Sequence, residues 1–259
     1  MSKVAEVLNK NRESGRGTLV GYFPAGFPTV DASAEALIAM AKNGCDILEV
    51  GVPYSDPVMD GLVIQQATET ALENGFKLGQ VFDVIRKVRE QIDTPVLVMS
   101  YWNPVLRYGV AKFASDLKSS GAQGMITPDL IPDEGSDWIE ASNNEALDRV
   151  FLVAPSSSDS RVKANADLSS GFVYSVSTMG ITGERAELDK LARNLTARVK
   201  SSSSTPTCVG VGISTADQVR EVNSYADGAI VGTAFVKAYQ SGGIDALEAK
   251  TRELALGLG

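Results

Sequence analysis

The sequence predicts an α/β fold, a single (β/α)8 TIM barrel with an extra N-terminal helix and an insertion after the second strand. Three observations carry that reading. Short runs rich in Val, Ile and Leu alternate with segments of helical spacing, and eight such strand–helix units can be marked along the chain. Runs of that composition suit strands buried on both faces of a parallel sheet. The 259 residues suit one barrel spanning 1–259 and do not force a second domain. An open doubly wound sheet gives the same alternation and is the competing architecture.

Each element follows from local chemistry. Residues 2–13 form an amphipathic helix with Val4, Val7 and Leu8 on one side, ahead of the barrel. Gly17 to Phe23 is the first strand. Asp31 can cap the next helix, where Leu37, Ile38, Met40 and Ala41 recur at helical spacing until Gly44 stops it. The second strand is 45–50. The insertion holds a helix from Leu62 to Asn74, a break at Gly75, and a helix from Leu78 to Gln91 with a stripe of Val81, Val84, Ile85 and Val88. Strand three, Pro95 to Tyr101, turns out through Trp102-Asn103-Pro104, and a helix runs from Val110 to Ser119. Strand four is Gly124 to Thr127, followed by a helix from Asp133 to about Leu147. Strand five is Arg149 to Ala154 and its helix Asp159 to Leu168. Strand six is Phe172 to Ser177, and its helix Leu188 to Lys200. Strand seven, Thr207 to Val211, leads to a helix whose Thr215 and Gln218 are spaced as a capping box. Strand eight, Asp227 to Val231, precedes a helix and a final one over roughly 244–256.

Composition removes several classes of function. Acidic residues outnumber basic ones, 32 to 24. With no basic cluster, neither nucleic acid nor an anionic membrane is an expected partner. No apolar run reaches the roughly 18 residues that span a bilayer. Cys45 and Cys208 lie in apolar strand-like runs, as thiols of a reducing compartment do, and a cytoplasmic location is expected. There is no histidine. Ser-His and Cys-His nucleophiles and His-metal sites are therefore excluded, and acid/base work falls to Glu, Asp, Tyr, Lys or Cys.

The chemistry converges on one stretch, Leu48-Glu49-Val50-Gly51-Val52-Pro53-Tyr54-Ser55-Asp56-Pro57-Val58-Met59-Asp60-Gly61. Glu49 ends an apolar strand, where a carboxylate is costly without a task or a partner. It is read as a catalytic acid/base, against a structural acid bonded to a neighbouring strand. Asp60 is open between substrate contact and capping the helix that begins near Leu62. Asp56 is open between a turn and an interaction residue. Tyr22, Tyr101 and Tyr174 lie at strand ends and can line a flat apolar pocket. In a TIM barrel the site lies at the C-terminal strand ends, with a phosphate often held after strands seven and eight. There the chain has Gly210-Val211-Gly212-Ile213-Ser214 and Val231-Gly232-Thr233-Ala234, glycines that bring backbone N–H groups close to an anion. Those glycines also fit plain tight turns. No strand end carries a Schiff-base lysine, no metal-ligand cluster is visible, and no dinucleotide fingerprint follows strand one. Carboxylate acid/base chemistry on a phosphorylated small molecule remains, as a lyase or isomerase.

These motifs, with Tyr101…Asn103-Pro104, Pro128-Asp129-Leu130 and Met179-Gly180-Ile181-Thr182-Gly183, resemble the tryptophan synthase alpha subunits over essentially the full length. The resemblance implies a cofactor-free retro-aldol cleavage of indole-3-glycerol phosphate to indole and glyceraldehyde 3-phosphate, with no metal. It implies Glu49 as general acid/base and Asp60 as acceptor of the indole N–H. Tyr174 is implied beside Glu49, with Tyr22 and Tyr101 walling the indole pocket. Backbone at Gly183, Gly212, Gly232 and Thr233 would hold the phosphate, and Thr182 would belong to a closing loop. A pyridoxal-phosphate beta subunit is the implied partner, usually as α2β2, with Asp56, Pro57, Asn103 and Pro132 near the interface. A free-standing lyase and a non-catalytic activator of the beta subunit are the other readings. Met59, Leu62 and Val211 depart from the family's usual residues, which bears on loop rigidity and pocket shape, and a looser loop is expected around Asp60.

Overall fold

The structure is a computed structural model that describes residues 2–176, 185–210 and 212–259, and of 185–188 the backbone alone. Eight parallel strands close into a barrel in chain order, which rules out the open sheet. They are β1 (Leu19–Pro24), β2 (Ile47–Gly51), β3 (Val96–Met99), β4 (Gly124–Thr127), β5 (Asp148–Val153), β6 (Val173–Val176), β7 (Thr207–Gly210) and β8 (Gly228–Val231). The first pairs with the last through Leu19–Ala229, Val20–Ile230 and Gly21–Val231.

Period-two alternation decides what enters the barrel. Val20, Ile47, Leu97, Ile126, Val150, Phe172, Cys208 and Ile230 form one buried interior cluster, with Met99, Leu152 and Tyr174 packed on it. Glu49 is two residues from Ile47 on the same strand, so it points inward at the C-terminal end. Helix α1 (Lys3–Glu13), capped by the Ser2 side chain, inserts Val4 and Leu8 into the same cluster from the opposite end. The additional helix is therefore the barrel's floor.

The outward strand faces pack against the surrounding helices in a second, larger core. These are α2 (Val30–Lys42), α3 (Leu62–Glu73), α4 (Gln80–Arg89), α5 (Trp102–Tyr108), α6 (Val110–Ser120), α7 (Ser136–Asn144), α8 (Asp159–Leu168), α9 (Arg185–Ser202), α10 (Ala216–Asn223) and α11 (Thr233–Ala255). Helices α3 and α4 are the insertion after β2. The expected capping box on α10 is present, with Thr215 and Gln218 each satisfying the other's backbone N–H.

Five expectations are corrected. The cap of α2 is Thr29, whose side chain accepts from Ala32 N–H at 3.1 Å, and Asp31 lies inside the first turn. The Trp102-Asn103-Pro104 turn is the start of α5: Pro104 sits in the first helical turn, where its missing N–H has no partner to lose. The helix expected from Asp133 is a 3-10 turn at Pro132–Glu134, then α7 after Gly135. The helix expected to end at Lys200 runs to Ser202, so the first two residues of the Ser201-Ser202-Ser203-Ser204 run are helical. The last two helices are contiguous in α11, broken at Gly242 and Gly243, the latter at φ +63°, a conformation that favours glycine.

Candidate active site

The C-terminal strand ends surround a cavity of about 580 Å³. Its wall includes Tyr22 from β1, Glu49 from β2, Met99 from β3, Ile126 from β4, Leu152 from β5, and Tyr174 and Val176 from β6. Met59, Asp60 and Gly61 line it from the loop after β2, with Ile64 from α3. Gly210, Gly212, Ile213 and Ser214 flank the end of β7, and Gly232, Thr233, Ala234 and Lys237 follow β8. One part of the wall is thus apolar and aromatic with two carboxylates; another is backbone at glycines and a helix start.

Glu49 pairs in register with Tyr22 on one side and Leu97 on the other. It is only 1% exposed, and its Oε2 has no hydrogen-bond partner among the described residues. This removes the reading of a structural acid satisfied on both oxygens. Burial, then the nearby Asp60 charge, push its pKa up to about 8, because a dry site and a like charge both penalise the carboxylate.

Asp60 is not a cap. Gly61 is the N-cap of α3 and makes no side-chain cap bond, which leaves the Asp60 carboxylate to face the cavity. Its backbone is tied in place: its N–H donates to Pro57 O at 3.0 Å, and its carbonyl accepts from Gln65 Nε2 at 2.8 Å. Burial raises its pKa to about 6, with the Tyr101 hydrogen bond acting against the rise.

Tyr101 stands beside the cavity, at Asp60. Its hydroxyl accepts from Met59 N–H at 2.9 Å and donates to Asp60 Oδ2 at 3.3 Å. It therefore aims the acid. Since that hydrogen bond stabilises the ionised acid, Tyr101→Phe is expected to move the acidic limb of kcat/KM upward from about pH 6. A pH–rate profile of the variant checks this; an unmoved limb would show that Tyr101 does not tune Asp60.

Tyr22 and Tyr174 do line the cavity. Burial, with both carboxylates near, pushes their hydroxyl pKa values well up, so both remain neutral donors. Two glycines make room for them. A Cβ at Gly51 would meet the Tyr22 hydroxyl, and one at Gly210 the Tyr174 hydroxyl at 2.8 Å. Gly212, Gly232 and Thr233 stand at the cavity, whereas Thr182 and Gly183 lie outside the described residues. Lys237 was not anticipated; its spacing of four from Thr233 along a helix is the signal that would have found it.

Asp56 is exposed and structures its own turn, accepting from Ser55 Oγ at 2.6 Å and from Val58 N–H at 2.9 Å. Asn103, also exposed, donates to the Tyr54 hydroxyl at 3.3 Å. Pro57 is half-buried and Pro132 buried. Among the described residues no group of three or more His, Cys, Asp or Glu could hold a metal. No helix there is long and apolar enough to cross a membrane.

The family profile described as tryptophan synthase alpha chain matches residues 8–256. The chain belongs to the tryptophan synthase alpha chain family. A Leifsonia xyli alpha chain is 53% identical over 257 residues, covering 99% of this chain and 98% of that one. A Mycobacterium intracellulare alpha chain is 47% identical over 99% of this chain and 94% of its own length. Among solved structures, aminoacrylate-bound tryptophan synthase from M. tuberculosis superposes with a TM-score of 0.93 at 44% identity, covering all of both chains. A mutant tryptophan synthase alpha-subunit from Pyrococcus furiosus gives 0.82 at 34% identity, over 92% of this chain and 98% of that one. The reaction of the family is the carbon–carbon lyase step of tryptophan biosynthesis, cleavage of indole-3-glycerol phosphate to indole and glyceraldehyde 3-phosphate. Its alpha chain pairs with a beta subunit.

Proposed function

We propose that Glu49 and Asp60 of this chain carry out that cleavage as a split acid/base pair. The carrying observation is that one cavity wall holds both carboxyls, the fully buried Glu49 and the less buried Asp60; burial raises Glu49 to about 8 and Asp60 to about 6. Between those values one carboxyl holds its proton while the other is charged, the state two dissimilar roles require. Glu49 donates its proton to indole C3, and the positive charge that develops at the ring nitrogen is met by the Asp60 carboxylate. The Glu49 carboxylate then takes the proton of the glycerol hydroxyl next to the breaking bond. The C–C electron pair returns to the ring, indole and an aldehyde leave, and Glu49 is protonated again. The balance closes within the chain's own groups and needs no cofactor.

Met99, Ile126, Leu152, Tyr22 and Tyr174 supply the apolar and aromatic wall that suits an indole. Gly212, Gly232 and Thr233 supply the backbone that suits the phosphate, with Thr182 and Gly183 proposed to complete that end. Asp56, Pro57, Asn103 and Pro132 are proposed to lie near the beta-subunit interface of an α2β2 assembly. In support, Val58, Leu62, Leu106 and Ile131 are large apolar residues left exposed. The segments that carry them are joined: Asn103 bonds Tyr54, and Trp102 N–H donates to Asp129 at 2.9 Å. Exposed apolar side chains on adjoining segments suit an interaction site. A single-domain, cytoplasmic protein is the setting we propose.

The test is indole release from indole-3-glycerol phosphate by the purified chain, alone and with a tryptophan synthase beta subunit. Slow release alone with strong activation is the expected result. Fast release alone would instead favour a free-standing lyase, and no release in either condition would overturn the substrate assignment.

A further inference from the structure

Lys237 is the one cation in the cavity wall among the described residues, where it shares the space with Glu49 and Asp60. It makes no ion pair with any described residue, in a chain whose other cations are often paired. It stands one helical turn beyond Thr233, so its stem runs along the face of α11 that also lines the cavity.

The two helices that begin near this end of the cavity differ. At the start of α10, Gln218 Oε1 already accepts from Ser214 N–H at 2.7 Å and from Thr215 N–H at 3.3 Å. Those donors are engaged by the capping box. At the start of α11 the N-cap is Gly232, with no side-chain cap. The Phe235 N–H bonds Gly232 O at 2.9 Å, and the N–H groups of Thr233 and Ala234 ahead of it are oriented for an external acceptor. An anion is therefore better served by α11 than by α10, and α11 is the helix that carries Lys237.

Charge gives a second argument. Around neutral pH the cavity holds an ionised Asp60, and a phosphate dianion entering the same space is repelled by it. A helix start supplies only partial positive charge. A full counter-charge at the phosphate end offsets the repulsion and leaves Asp60 free for the ring nitrogen.

Resting on the proposed indole-3-glycerol phosphate cleavage, we infer that Lys237 is a substrate-binding residue. Its ammonium is the counter-ion of the substrate's phosphate above the α11 N-terminus, and it governs capture of the phosphorylated substrate, not the bond-breaking step. Lysine serves as a point charge in such a role, and on an exposed residue its effect is screened by salt.

The experiment compares wild type, Lys237→Gln and Lys237→Arg, each assembled with a beta subunit, at low and high ionic strength. Lys237→Gln is expected to raise KM about three- to tenfold at low salt, with the gap narrowing at high salt. Lys237→Arg is expected to restore a KM near wild type, and kcat is expected to move less than the KM in both. Calorimetric titration with glycerol 3-phosphate, which needs no turnover, is expected to show the same order of affinities. An unchanged KM and glycerol 3-phosphate affinity in Lys237→Gln would overturn the inference. So would equal losses in the Gln and Arg variants, which would mark a packing role. Absence of indole release by wild type would instead overturn the underlying reading, while the titration still scores Lys237 by itself.

Discussion

Glu49→Gln is expected to lower indole formation by about 10²–10⁴-fold, the range a positioned general acid/base contributes. The substitution keeps the shape and removes the proton donor. Because Glu49 acts before and after C–C cleavage, both transfers fail together. KM is expected to change little, since the phosphate and the ring are held by other groups. Steady-state kinetics of the variant with its beta subunit checks the split. Unchanged turnover would remove Glu49 from the chemistry.

The same variant reports on stability, and the sign separates a catalytic acid from a structural one. In the unfolded chain Glu49 ionises near 4.5, whereas in the fold it holds its proton to about 8. Between those values the folded state binds more protons than the unfolded state, so stability falls as pH rises. Above pH 8 the whole penalty is present; below about 4.5 it vanishes. Glutamine carries no such penalty. Glu49→Gln is therefore expected to raise Tm relative to wild type above pH 8 and to leave it nearly unchanged at pH 4. A structural acid anchored by hydrogen bonds would give the opposite sign. The enzyme thus keeps a destabilising residue where its chemistry needs a proton.

The barrel was legible because its cause is local. Each unit repeats an apolar run, a turn and an amphipathic helix, and Glu49 is conspicuous as the one acid at the end of such a run. Asp60 was legible as a residue but not in its role. Asp-Gly before a helix reads equally well as a cap, and only the position of Gly61 at the N-cap resolves it. The tie of Tyr101 to Met59 and Asp60, 42 and 41 residues away in sequence, is one that no periodicity encodes. Helix α5 was hidden by a proline that reads as a breaker unless its place in the first turn is known. Lys237 lay beyond the Gly-Thr-Ala motif that drew attention, one helical turn past it. The looser loop expected around Asp60 rests on Met59 and Leu62, and the structure adds that the backbone there is held by Pro57, Gln65 and Tyr101.

Asp60→Asn tests whether the two carboxyls work as a coupled pair or as independent groups. Removing the charge that meets the developing cation at the ring nitrogen is expected to lower kcat about 10²–10³-fold, comparable to the loss of one strong electrostatic contact in other active sites. The pH profile carries the sharper information. Asp60 contributes to the raised pKa of Glu49, so its neutralisation is expected to shift the basic limb of the residual activity downward from about 8. The acidic limb near pH 6, which reports Asp60 itself, is expected to disappear. Glycerol 3-phosphate affinity is expected to hold or rise, because the variant removes a charge that repels the phosphate. A lower kcat with both limbs intact would show that Asp60 positions substrate without setting the proton inventory. An unchanged basic limb alone would show that burial, the larger of the two causes, is sufficient to hold the Glu49 proton.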